Sequence, residues 1–92
     1  MAINDKKDYI ISFDVSDKKR LVKLSKFLAK RAFRFQYSVF FYPQKTKKEV
    51  EIITKEIKKI INENQDDVRI YTVKSHGIAL GKAYDLKDPF LL

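Results

Sequence analysis

The ten residues from Phe33 to Tyr42 include six aromatics (Phe33, Phe35, Tyr37, Phe40, Phe41 and Tyr42), and this run constrains the fold more than any other segment. So many strong β-formers in sequence read as extended chain. As one straight strand, Phe33, Phe35, Tyr37, Val39 and Phe41 share one face, and Arg34, Gln36, Ser38, Phe40 and Tyr42 share the other. The same residues also fit two shorter strands turned near Gln36–Ser38. Pattern alone leaves both open. Pro43 and Gln44 are expected to end the run.

The neighbouring segments supply the rest of an α+β unit. Tyr9-Ile10-Ile11-Ser12-Phe13 reads as a short strand. Asp14-Val15-Ser16-Asp17 turns into a helix, with Ser16 placed to cap it and Asp17 suited to the positive helix end. Leu21, Leu24 and Leu28 recur at i, i+3 and i+7 as a core stripe. Thr46-Lys47-Lys48-Glu49 has the form of a capping box, and Val50, Ile53, Ile57 and Ile60 form a second stripe behind it. Residues 62–67 are a polar loop, Val68 to Val73 alternates as a strand, and Ile78-Ala79-Leu80 reads as a further short strand. Two helices among these strands predict an antiparallel sheet with helices on one face, the ferredoxin-like βαββαβ arrangement with an additional C-terminal strand. The 92 residues make one such domain, its core about 9–80 and its tail 81–92.

Charge is lopsided. Residues 1–48 carry 13 Lys/Arg against 4 Asp/Glu, a net +9, whereas residues 49–92 carry 7 against 8, a net −1. The first helix crowds Lys18, Lys19, Arg20, Lys23, Lys26 and Lys30 at spacings where like charges repel. A phosphate-bearing partner would relieve that cost, although a lysine-rich surface also serves solubility. The chain has no cysteine, which excludes disulfides and thiolate metal sites. The polar start, Asn4-Asp5-Lys6-Lys7-Asp8, lacks the apolar stretch of a signal peptide, and no apolar run reaches the roughly 20 residues of a membrane span. A cytoplasmic protein without a membrane partner is expected. There is no glycine-rich phosphate loop, no Ser/His/Asp set and no His/Cys metal spacing, and the lone His76 reads as a turn residue.

Three stretches resemble one known family. Phe13-Asp14 with Ser16-Asp17, the basic helix, and Arg34-Phe35-Gln36-Tyr37-Ser38-Val39-Phe40 are similar to the pattern of the small CRISPR-associated endonuclease family, the second of the two CRISPR adaptation proteins (the Cas2 family). That family reads strand, Tyr-Asp with a small polar pair, basic helix, then R-I/V-Q-x-S-V-F. The resemblance covers roughly residues 9 to 80. Phe13 stands where the family usually has tyrosine, and Lys30-Arg31-Ala32 lacks a glycine often found between helix and strand. The resemblance implies the ferredoxin-like fold, a break within residues 33–42, and a homodimer in which the last strand crosses to the partner's sheet.

It also singles out site residues. A carboxylate at a strand end beside a helix start can hold a hard cation such as Mg²⁺, and a bound metal activates water against a phosphodiester. One carboxylate per chain is a poor site. The resemblance implies that the two Asp14 residues of a dimer face each other, making Asp14 both metal ligand and catalytic residue. By itself Asp14 is more simply a cap. Arg20, Lys23, Arg34 and Ser38 are the candidate nucleic-acid contacts, the arginine of residue 34 by a bidentate grip on phosphate. Phe40 reads as packing.

The expected function is therefore a CRISPR adaptation subunit: a dimeric, metal-dependent endonuclease on RNA or DNA that binds duplex and docks the CRISPR integrase. A VapD-like toxin ribonuclease and a non-catalytic ferredoxin-like binding module are the alternatives. The tail, with charges that cancel over Lys82 to Leu92 and an apolar Pro89-Phe90-Leu91-Leu92 end, is expected to contact a protein partner rather than nucleic acid.

Overall fold

The computed structural model describes residues 5–73. They fold in the order β1 (Lys7–Asp14), α1 (Lys18–Ala29), β2 (Phe33–Gln36), β3 (Val39–Lys45), α2 (Lys47–Ile60) and β4 (Asp67–Val73). The expected strand at 78–80 and the tail lie outside the described residues.

The strands form one sheet in the order β2-β3-β1-β4. Each neighbouring pair is antiparallel. This is the ferredoxin-like arrangement. Strand alternation divides β1 between two environments. Tyr9, Ile11 and Phe13 face the helices and join Val15, Leu24, Leu28, Phe40, Tyr42, Ile53 and Ile57 in the core. Both helical stripes read from the sequence deliver their central residues there, Leu24 and Leu28 from α1 and Ile53 and Ile57 from α2.

The aromatic run is a hairpin. Residues 33–36 and 39–45 are separate strands joined by a turn at Tyr37-Ser38, so the break implied by the resemblance is present. Phe40 packs fully buried, its ring stacked on Phe13 at 6.0 Å between centroids.

Two local expectations are corrected. The N-cap of α1 is Asp17 rather than Ser16: its carboxylate accepts the Arg20 N–H at 3.0 Å. Pro43 and Gln44 do not end the strand, for β3 runs on to Lys45. A bulge absorbs the proline. Tyr9 pairs with Tyr42 and Lys7 with Lys45, so Pro43 and Gln44 together oppose the single residue Asp8. Gln44 takes a left-handed φ of 54°, and its backbone N–H donates to Asp8 Oδ1 at 2.9 Å. A bulge is where an internal strand tolerates a residue without an N–H. The capping box at the start of α2 is complete: Glu49 N–H donates to Thr46 Oγ1 at 3.2 Å, and Thr46 N–H to Glu49 Oε1 at 2.8 Å.

Among the described residues no helix is long and apolar enough to cross a membrane.

Candidate metal and nucleic-acid site

Among the described residues, no element covers the face of the sheet away from the helices. Phe33 pairs with Phe41, Phe41 with Ile10, and Ile10 with Tyr71. Residues directly opposite on neighbouring strands share a face. These four therefore make one apolar row across all four strands. Ile10 at its centre is buried, while Phe33 and Tyr71 at the ends are exposed.

Asp14 is the last residue of β1 and follows Ile10 and Ser12 onto this same face. It is exposed, and no hydrogen bond or ion pair engages its carboxylate among the described residues. Directly opposite stands Asp67, the first residue of β4, and next along the ladder Ser12 faces Arg69. Arg69 Nε donates to Asp67 Oδ2 at 2.9 Å. Hydrogen bonds to Tyr71 and Asp67 raise the Arg69 pKa above its ordinary value. Like charges directly opposite on a sheet repel. Arg69 compensates one of the two, and Asp14 is left without an ion-pair partner among the described residues. Among the described residues no three His, Cys, Asp or Glu side chains cluster as a metal site.

Ser38 reaches this end of the sheet through its backbone. Its carbonyl accepts the Phe13 N–H at 3.1 Å, tying the β2–β3 turn beside Asp14. Arg34 lies on the other face. It pairs with Phe40 across the hairpin, and its guanidinium sits 5.1 Å from the Phe40 ring and 5.8 Å from that of Tyr37. Asp14 and Ser38 thus meet at one strand end, whereas Arg34 opens toward the helix layer.

Arg20 is occupied. Its Nε donates to Asp66 Oδ2 at 2.7 Å, and one Nη to Asp66 Oδ1 and Gln65 Oε1, each at 3.1 Å. Asp66 also accepts the Asn62 N–H at 2.8 Å. The Asp66 side chain is fully covered and that of Arg20 about a quarter exposed. The hydrogen bond from Arg20, then that from Asn62, hold the Asp66 carboxyl below its usual range, and the same pairing raises the arginine. This fork fastens the start of α1 to the turn that precedes β4. Lys23, one turn further on, is exposed, as are Lys19, Lys26 and Lys30, and α1 contains no acidic residue to neutralise them.

Sequence reasoning missed Asp66, Asp67 and Arg69. The Asp-Asp pair read as part of a polar loop, and no local spacing links residue 20 to residue 66 or residue 14 to residue 67.

Known proteins share this fold. Residues 7–79 match the family described as CRISPR associated protein Cas2. The chain belongs to the Cas2 family. A curated relative, CRISPR-associated endoribonuclease Cas2 1 of Nitrosomonas europaea, is 37% identical over 77% of this chain and 67% of its own length. A chain of a solved partial Cas6-RT-Cas1–Cas2 complex is 31% identical and superposes with a TM-score of 0.72, covering 88% of this chain and 85% of that one. Streptococcus pyogenes Cas2, at 24% identity, shares the fold: TM-score 0.70 over 85% of this chain and 96% of that one.

Proposed function

We propose that this Cas2-family chain is a CRISPR adaptation subunit that acts as a homodimer and cleaves phosphodiesters with a divalent cation, Mg²⁺ by preference. The observation that carries the reading is the placement of Asp14: a carboxylate with no ion-pair partner among the described residues, on the same face as the Phe33–Phe41–Ile10–Tyr71 row. A second copy seated on that row buries it, which gives a small domain the additional apolar burial it needs, and brings both Asp14 residues to one interface. Mg²⁺ is commonly held by one or two carboxylates plus substrate phosphates. Two Asp14 side chains fit that donor set, and Asp67 stands next to each. When bound, the ion would activate water and offset the charge that develops on the phosphodiester.

The remaining residues bind and orient. Lys19, Lys23, Lys26 and Lys30 attract the phosphate backbone without reading sequence. Ser38 keeps the β2–β3 turn against β1, and Arg34 has no carboxylate partner in an ion pair among the described residues. Arg20 supports this surface by anchoring α1. The name of the Nitrosomonas relative supports an RNA substrate. The solved Cas1–Cas2 assembly supports a Cas1 integrase as partner.

The test is cleavage of end-labelled RNA and DNA by wild type and Asp14→Asn, with Mg²⁺ and with excess EDTA. Asn nearly preserves shape and removes two charges per dimer, so cleavage should collapse by at least about 100-fold, on the scale of a lost acid–base or electrostatic contribution, while the dimer persists. Cleavage that survives either the substitution or EDTA returns Asp14 to the role of a turn residue.

A further inference from the structure

A phosphodiester brought to Asp14 sets negative charge beside a carboxylate, so a cation on the same face has work to do there. Arg34 lies on the helix side of the sheet, with Phe40. Arg20 is committed to Asp66. Among the described residues, the strand positions that share a face with Asp14 include one Lys or Arg only, which is Arg69.

Arg69 stands opposite Ser12, the residue that precedes Asp14 on this face. Its side chain leans toward the Asp14 end of the strand. Nε donates to Asp67 Oδ2 at 2.9 Å, and Asp67 is directly opposite Asp14. Diagonal neighbours on a sheet lie within reach of long side chains. Even so, Arg69 pairs with Asp67 and forms no ion pair with Asp14. Tyr71 supports the same guanidinium. A guanidinium has more N–H donors than these two partners use, which leaves donors on its Nη groups for a ligand. The side chain is 64% exposed, so a ligand can reach them. Anchoring through Nε also limits the motion of the fork, which lowers the entropy lost when it binds.

We propose that Arg69 is the phosphate-contacting residue of the Asp14 site. Its Nη groups donate to a non-bridging oxygen of the phosphodiester and stabilise the charge that grows there during cleavage. Asp67 is its positioning residue, holding the fork in place and away from Asp14. This deepens the proposed nuclease reading and rests on it. In that hydrolysis the water oxygen bonds to phosphorus, the bond to the leaving sugar oxygen breaks, and that oxygen takes up the proton the water gives up. Arg69 keeps its own proton throughout.

The experiment makes two measurements on the full chain. One is cleavage of end-labelled single-stranded RNA with Mg²⁺. The other is equilibrium binding of the same strand in EDTA as salt is varied. Arg69→Ala should lower kcat by about 100- to 1000-fold, the effect of removing one donor to a developing oxyanion. Methylguanidinium should restore part of that rate, a response that a purely structural residue does not give. Arg69→Lys keeps the charge without the fork and should fall between wild type and Arg69→Ala. In EDTA, Arg69→Ala should lower the slope of log affinity against log salt by about 0.7, the loss of one phosphate contact. If Arg69→Ala does not fold, Arg69→Gln takes its place in both measurements. A wild-type kcat in Arg69→Ala, with cleavage still abolished by Asp14→Asn, overturns the inference and leaves the proposed function standing. A lost rate without rescue and with an unchanged salt slope also overturns it, because the arginine then only braces β4. Wild type that shows no Mg²⁺-dependent cleavage overturns the nuclease reading. The salt slope still judges Arg69 in that case, and an unchanged slope overturns its phosphate contact as well.

Discussion

Replacing Phe40 separates packing from chemistry at the strongest motif residue of the chain. Its side chain is fully buried, its ring stacks on Phe13 at 6.0 Å with 19° between planes, and Arg34 lies 5.1 Å over it. Phe40→Ala removes a whole buried ring from the middle of the helix-facing layer. Such truncations cost about 3–5 kcal/mol from lost transfer energy and the cavity left behind. A 92-residue domain holds about 5–14 kcal/mol at the usual per-residue range. The substitution therefore removes a large share of the total. Each kcal/mol lowers Tm by about 4–8 °C at this size, so thermal unfolding followed by circular dichroism should show a loss of at least about 12 °C. Phe40→Leu keeps most of the volume and should lose about 1–2 kcal/mol, with nucleic-acid affinity unchanged below its lowered Tm. A Phe40→Ala chain that melts within about 2 °C of wild type refutes the packing account. A Phe40→Leu chain that folds well but fails to bind nucleic acid shows that the ring touches ligand directly.

Phe41→Glu places a charge in the middle of the apolar row without touching the core, so light scattering should show monomer where the proposed dimer is expected of wild type; a persistent dimer locates the interface elsewhere. Substituting Lys23, Lys26 and Lys30 together should lower the slope of log affinity against log salt for duplex binding, by about 0.9 for each phosphate that is no longer neutralised. Arg20→Ala should leave that slope nearly unchanged, because its guanidinium is committed to Asp66, and a slope that falls only with Arg20→Ala would reverse this assignment. Asp66 has a folded pKa held below its unfolded value, so its contribution is present above about pH 4, the ordinary carboxylate range, and is lost as pH falls through the lower folded value. Asp66→Asn should therefore flatten the acid limb of a stability-against-pH curve, and an unchanged limb would remove this pair from the account.

Features set by neighbours a few residues apart were legible in the order of residues. The capping box of Thr46 and Glu49, the leucine and isoleucine stripes of the two helices, and the strand at Tyr9 to Phe13 depend on spacings of two to four residues, which the chain itself carries. The same holds for Asp14 at a strand end before a helix. The hairpin needed the family resemblance, because the alternation of residues 33–42 suits a straight strand equally well. Register and crossing points are tertiary. Pro43 sits inside β3 because pairing with β1 opens a bulge against Asp8. Asp67 opposes Asp14, and Arg20 forks onto Asp66 across 46 positions. Those pairings follow from how the sheet stacks its strands and where α1 lands on it. Burial of the core residues decides both, and it sums over the whole domain rather than any local spacing.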